Sequence, residues 1–342
     1  MKHKPWLVFA ALFLALAFCL GASTPPAQAA DVIELNYANF PPPGTFPDVQ
    51  MNRWVKEVEK RTNGKVKIKT FPGGSLLNAK NMVDGVIAGQ ADIGCTSTAY
   101  QPGRFVVLNA TALPVGIPSG LVGSKVLMDL FEKYKPKSFA KLKMLTLFTT
   151  SPANIMSKDA LPTLESLKGK SLRASGGAAQ ILKAWGANQV GMPMPATPEA
   201  LQKGVVQGLF SSVEVMKDFK FAEYCRFVTM TDTGIYPFAV FMNLDKWNQL
   251  PKDVQEVMDG LFREQGEWTG KYVDDHAQEA LDWSVKTYQV KIFALSPEEK
   301  AKFDAPLKPI VDEWVKKVSA GGVDGKAIVA DIAAMIKKNS AK

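Results

Sequence analysis

No proline occurs between Pro251 and about Val290, and across that stretch Val254, Val257, Leu261, Trp268, Tyr272, Leu281 and Val285 recur at helical spacings. At 1.5 Å per residue such a helix reaches ~55 Å, longer than a small domain is wide. One hydrophobic core cannot cover an element of that length. The segment therefore predicts a brace shared by two domains, and every other element has to be arranged around it.

The elements before it alternate. Asp31 to Phe40 places Val32 or Ile33, Leu35 and Tyr37 at the two-residue period of a half-buried strand, which the run Pro41-Pro42-Pro43-Gly44 stops. A helix follows through Met51, Trp54, Val55 and Val58, then a strand at Val66, Ile68 and Thr70, a helix through Met82, Val83, Val86 and Ile87, and a short strand from Ala91 to Cys95. A second alternating set has a strand at Ser171 to Ala174, a helix from Ala178 to Trp185 and another from Pro198 to Lys203. The segment Ile235 to Met242 is apolar enough to be a strand buried on both faces. Strand and helix in alternation predict an α/β fold with a largely parallel sheet.

The N-terminus has the layout of a secretory leader: Lys2 and Lys4, an apolar run from Leu7 to Leu20, and the small-residue end Ala27-Gln28-Ala29. The run is shorter than the ~20 residues that span a bilayer. A lipid anchor at Cys19 is disfavoured by the bulky Phe18 before it. Cleavage after Ala29 leaves 313 of the 342 residues, above the size at which a single core keeps growing, so two domains are expected in an extracytoplasmic protein. No later stretch is apolar enough to span a membrane.

With Lys2 and Lys4 gone, the formal charge falls from +8 to +6, spread singly along the chain. Nucleic acid wants a concentrated basic face, so it is not an expected partner. Two cysteines remain, Cys95 and Cys225; a disulfide is open, with free buried thiols slightly favoured. His276, in the polar stretch Asp274-Asp275-His276, reads as a solvated surface residue, and with only two distant cysteines beside it there is no zinc set. No metal or cofactor is expected. Leu167-Lys168-Gly169-Lys170-Ser171 ends like a phosphate-binding loop but has Leu164 where that motif needs glycine, and Ser138-Phe139-Ala140-Lys141 lacks the companion motifs of the penicillin-binding enzymes. Nothing supports catalysis.

Four segments resemble, in order, the DctP-type solute-binding proteins of TRAP (tripartite ATP-independent periplasmic) transporters. They are Glu57 to Val66 (EVEKRTNGKV), Gly89 to Gly94 (GQADIG), Leu167 to Arg173 (LKGKSLR) and Ala200 to Gly208 (ALQKGVVQG). The resemblance implies a two-domain periplasmic-binding-protein fold with an interdomain cleft and the long helix spanning both domains. The expected division is a leader at 1–29, one domain from 30–152 plus 240–278, and a second from 153–239 plus 279–342. It also implies a periplasmic receptor that is not an enzyme, captures an organic acid and delivers it to the TRAP membrane permease subunits.

Members usually clamp a carboxylate with an arginine, which here matches Arg173. The chemistry suits the role, because a planar guanidinium offers two parallel hydrogen bonds and stays charged when partly buried; the plainer alternative is pairing with a surface acid. The sequence departs from the family pattern elsewhere. Ser211 stands where an asparagine is usual, Met194 where a phenylalanine is common, and Ser97 where the sialic-acid binders carry a glutamate; Phe40 is the matching point after the first strand. With Tyr236 and Phe238 nearby, one arginine and few other charges suit a monocarboxylate with an aromatic or apolar body, such as a 2-oxo acid or related amino acid. A C4-dicarboxylate is the competitor. The alternatives for the whole protein are a ligand-binding partner of a sensor kinase and, further off, a secreted α/β enzyme.

Overall fold

The computed structural model describes residues 32–341; the leader, with Lys2, Lys4, Cys19 and the Ala27 to Ala29 end, lies outside the described residues. Among the described residues eleven strands form two sheets. The first contains β1 (Ile33–Asn39), β2 (Val66–Phe71), β3 (Ile93–Ser97), β4 (Leu142–Thr149) and β10 (Pro237–Asn243), in the order β2-β1-β3-β10-β4. The second contains β5 (Asn154–Ser157), β6 (Ser171–Ala174), β7 (Asn188–Gly191), β8 (Gly208–Ser211), β9 (Phe227–Met230) and β11 (Lys291–Ala294), in the order β11-β9-β5-β8-β6-β7.

The sheets are mixed rather than largely parallel. β1 runs parallel to β2 and β3, and β6 to β7 and β8, as crossover units require, but β10 is antiparallel to β3 and β4, and β5 to β8 and β9. The cause is the backbone's passage between sheets. It leaves through β4 into β5 and returns through β9 into β10, so outgoing and returning strands lie side by side in opposite directions. The two crossing segments are zipped together by Thr150 N–H to Tyr236 O (3.1 Å), Ala153 N–H to Gly234 O (2.9 Å) and Thr233 N–H to Ala153 O (3.0 Å). β10 is buried from Pro237 to Met242, as its unbroken apolar run requires of a strand flanked on both sides.

The long helix covers Lys252–Tyr288, 37 residues. Its first half buries Val254, Met258 and Leu261 in the core of the first lobe, and its second half buries Ala277 and Leu281 in the core of the second. It crosses the helix Gly120–Tyr134 at backbone distance, because a Cβ on Gly270 would stand 2.7 Å from Gly120 O. Asp274 reaches from it to accept the Gly120 and Leu121 N–H groups at 2.6 and 2.9 Å, which satisfies free donors at that helix's start.

The last helix, Gly325–Ser340, buries Ile328 and Ile332 in one cluster with Val122, Val126 and Leu130 of the first lobe. The expected division assigns 279–342 to the second domain. The backbone instead returns to the first lobe, because Val122, Val126 and Leu130 form an apolar stripe on the helix Gly120–Tyr134 that takes the final helix as its cover.

Cys95 and Cys225 are buried and free, one in each lobe's core. Burial pushes both thiols well above their ordinary range, leaving them unreactive.

Candidate functional site

Several strands end at the gap between the sheets, and their carboxyl ends supply its walls, the usual place for a ligand crevice in an α/β sheet. Phe40 follows β1, Ser97 closes β3, Arg173 lies in β6 and Ser211 closes β8. β10 runs the other way, so its first residues arrive at the same level, with Phe238 paired in register with Ser97.

The gap encloses a cavity lined by all seven residues the sequence singles out: Phe40, Ser97, Arg173, Met194, Ser211, Tyr236 and Phe238. About 40 Å³ of it is open to the centre of a water-sized sphere. One water needs about 10–15 Å³ on that measure, so the space suits a compact molecule and not an oligomer.

The first lobe's wall is aromatic. Phe238 stacks on Phe148 with ring centroids 5.3 Å apart and takes Phe46 edge-on at 5.5 Å, while Phe40 meets Tyr100 edge-on at 5.4 Å. These are favoured offset and T-shaped geometries, so the rings hold one another in place.

The second lobe's wall carries the charge. Arg173 is 1 % exposed. Its Nε and Nη2 donate to Met192 O at 3.1 and 2.9 Å, and Nη2 also lies 3.4 Å from Ser175 Oγ. Those carbonyl and hydroxyl contacts fix the guanidinium plane but do not neutralise it, and among the described residues no carboxylate pairs with it. A buried, uncompensated cation is costly unless an anion completes it. Tyr236, whose hydroxyl donates to Phe210 O at 2.8 Å, is also on this wall; burial raises its pKa to about 12, so it stays neutral.

Sequence reasoning missed the acidic residues of this cavity. Glu214 and Asp218 both line the cavity. Asp218 accepts from Phe46 N–H at 2.9 Å and pairs with His276 Nε2 at 2.7 Å. His276 is thus not a solvated surface residue: it is 8 % exposed, because the long helix turns that face onto the segment carrying Asp218. The Asp218 hydrogen bond raises the imidazole pKa, favouring the charged ring. The partners stand 58 positions apart, which left no sequence signal. Glu214 had one, since it is the sole charge in the apolar run Leu209 to Met216.

The lobes touch across the mouth. Met194 N–H donates to the Tyr100 hydroxyl at 3.1 Å, the Phe46 N–H to Asp218 contact joins the same two lobes, and a Cβ on Gly176 would lie 2.8 Å from Ala99 O. Gly176 also has φ +58°, a left-handed backbone that glycine adopts without strain. The cleft is closed.

Residues 38–317 match the family model described as bacterial extracellular solute-binding protein, family 7. A TRAP periplasmic solute binding protein from Desulfovibrio salexigens DSM2638, solved as an open complex with the C-terminus of a symmetry mate in its ligand binding site, is 50 % identical. It covers 90 % of this chain and 96 % of its own with a TM-score of 0.81. A marine-metagenome TRAP solute binding protein from an unidentified microbe, specific for aromatic acid ligands and solved with metahydroxyphenylacetate, is 27 % identical over 90 % of this chain and 99 % of its own, TM-score 0.86. The 2,3-diketo-L-gulonate-binding periplasmic protein of Escherichia coli strain K12 is 26 % identical over 79 % of this chain and 84 % of its own.

Proposed function

The chain belongs to bacterial extracellular solute-binding protein family 7 and is a TRAP solute-binding protein for organic acids; from that premise we propose that it captures a monocarboxylate with an aromatic body, using Arg173 as the carboxylate clamp. The observation that carries this reading is the buried Arg173 guanidinium, without a carboxylate partner among the described residues, on the wall of a cavity whose other side is aromatic. An acid bound there supplies the missing anion to one wall and a ring to the other. Phe40, Phe46 and Phe238 make the ring contact, with Met194 and Tyr236 closing the opposite side and Ser97 and Ser211 offering hydroxyls to the solute's polar atoms.

Two relatives support the choice. A polypeptide's carboxyl terminus, which ends in a carboxylate, occupies the ligand site of the 50 % identical protein, and the metagenomic protein is specific for aromatic acids. A sugar acid, such as the one that names the Escherichia coli relative, would set hydroxyls against the phenyl rings of the first lobe's wall, which offer them no hydrogen bond. A C4-dicarboxylate would need a second cation, and Arg173 is the only lysine or arginine lining the cavity among the described residues. The loaded, closed form is the species delivered to the TRAP membrane permease subunits, outside the inner membrane after the leader is removed. No helix among the described residues is long and apolar enough to cross a membrane.

A thermal-shift screen of the mature protein against organic acids tests the reading, since a ligand that binds only the folded state raises Tm by mass action. Aromatic monocarboxylates raise Tm in the wild type and leave Arg173→Met unmoved. Equal shifts in both proteins would remove Arg173 from the site.

A further inference from the structure

Glu214 is 0 % exposed and lines the cavity that holds Arg173. Its Oε1 accepts from the Ser212 hydroxyl, but Oε2 is buried with no hydrogen-bond partner among the described residues. Asp218, four residues on, has no such vacancy, because its oxygens are taken by His276 Nε2 and Phe46 N–H. An orphaned carboxylate oxygen costs far more than an orphaned neutral group. It persists in a ligand cavity when the ligand satisfies it.

Resting on the carboxylate reading of Arg173, we infer that Glu214 is a second recognition group, and that the solute carries a hydroxyl whose hydrogen bond completes Glu214 Oε2 while its carboxylate completes Arg173. Three kinds of substituent could meet a carboxyl group: an ammonium needs it ionised, an oxo group needs it protonated, and a hydroxyl can donate to one form and accept from the other. Burial, with Asp218 adding to it, raises the Glu214 pKa to about 7, so near neutral pH both forms are populated. A hydroxyl pairs with either form as it stands, whereas an ammonium or an oxo group must first shift that balance. The aromatic wall leaves the rest of the solute apolar, which makes the ligand class a hydroxylated aromatic monocarboxylate.

Isothermal titration at pH 7 with acids built on one skeleton tests this: phenylacetate, its ring-hydroxylated forms, and the α-hydroxy, α-amino and α-oxo acids of the same carbon frame. In the wild type the tightest hydroxylated acid binds about tenfold or more tighter than phenylacetate and tighter than the amino and oxo acids. In Glu214→Met that preference collapses to within about twofold, and Glu214→Gln, which can still donate and accept, restores most of it. Equal affinity for phenylacetate and all hydroxylated acids in the wild type, or a preference that survives Glu214→Met, would overturn this inference while leaving the Arg173 clamp standing. A top-ranked amino or oxo acid would likewise overturn it. No binding by any of these acids would overturn the carboxylate reading and this inference together. The wild-type series is decisive by itself if Glu214→Met fails to fold.

Discussion

The two walls of the cleft bury comparable side chains by opposite means. On the first lobe, Phe40, Phe46, Tyr100 and Phe238 pack edge-to-face and face-to-face, each ring stabilised by the next. That wall is complete without a solute. On the second, Arg173 and Glu214 are as deeply buried as the phenylalanines, yet among the described residues one has no carboxylate partner and one oxygen of the other has no hydrogen-bond donor. On the proposed reading, the difference separates what gives affinity from what gives selection. Apolar rings accept any flat body of fitting size, whereas an unsatisfied buried charge rejects every molecule that cannot complete it.

The sharpest way to break that contrast is to remove the charge. Arg173→Met leaves a buried ligand carboxylate unpaired, and truncating one partner of such a pair costs about 2–5 kcal/mol; titration calorimetry is expected to find aromatic acids bound about 100-fold more weakly or worse. A change at the mouth, touching neither wall, comes next. Gly176→Ala puts a methyl 2.8 Å from Ala99 O and forces a left-handed alanine, so the closed form becomes rarer and apparent affinity falls roughly tenfold in proportion. Small-angle scattering should then find the unliganded and liganded variants both more open than the liganded wild type.

The smallest effect is on stability against pH. Glu214 is held near 7 from an ordinary 4.5, so the folded protein binds that proton more tightly than the unfolded polypeptide. The associated stability is full below about 4.5 and is lost as pH rises to about 7. His276, also raised, has the same sign: its contribution is full below 6.5 and is lost as pH climbs through the higher folded value. Tm of the unliganded protein should therefore decline by a few degrees from pH 5 to 8. Glu214→Gln flattens the lower part of the decline and His276→Asn the upper part.

How far the sequence reached follows from the range of each interaction. Periodicity is local, so the long helix, the alternating elements and the doubly buried β10 were legible, with β3 displaced from the expected 91–95 to Ile93–Ser97. Sheet direction depends on where the backbone crosses between lobes, which no local pattern encodes, and the antiparallel β5 and β10 were missed. The positions given by the family resemblance converge on one cavity. Phe46, Tyr100 and Asp218 did not stand out, because their contacts are made across the cleft, such as Phe46 N–H to Asp218 and Met194 N–H to the Tyr100 hydroxyl, whereas Glu214 carried a local signal, as the sole charge from Leu209 to Met216, that went unread. His276 misled for the same reason: its polar neighbours in sequence suggest solvent, while its partner in space is a buried carboxylate.

The central claim is that Arg173 selects a carboxylate, and the most direct measurement compares the tightest-binding aromatic acid with its own primary amide by titration calorimetry on the wild-type protein. The two share shape and ring and differ in the charge that would complete the guanidinium. The account predicts measurable binding of the acid and about 100-fold weaker binding of the amide. Equal affinities would mean that the aromatic wall alone holds the ligand, and would contradict the clamp.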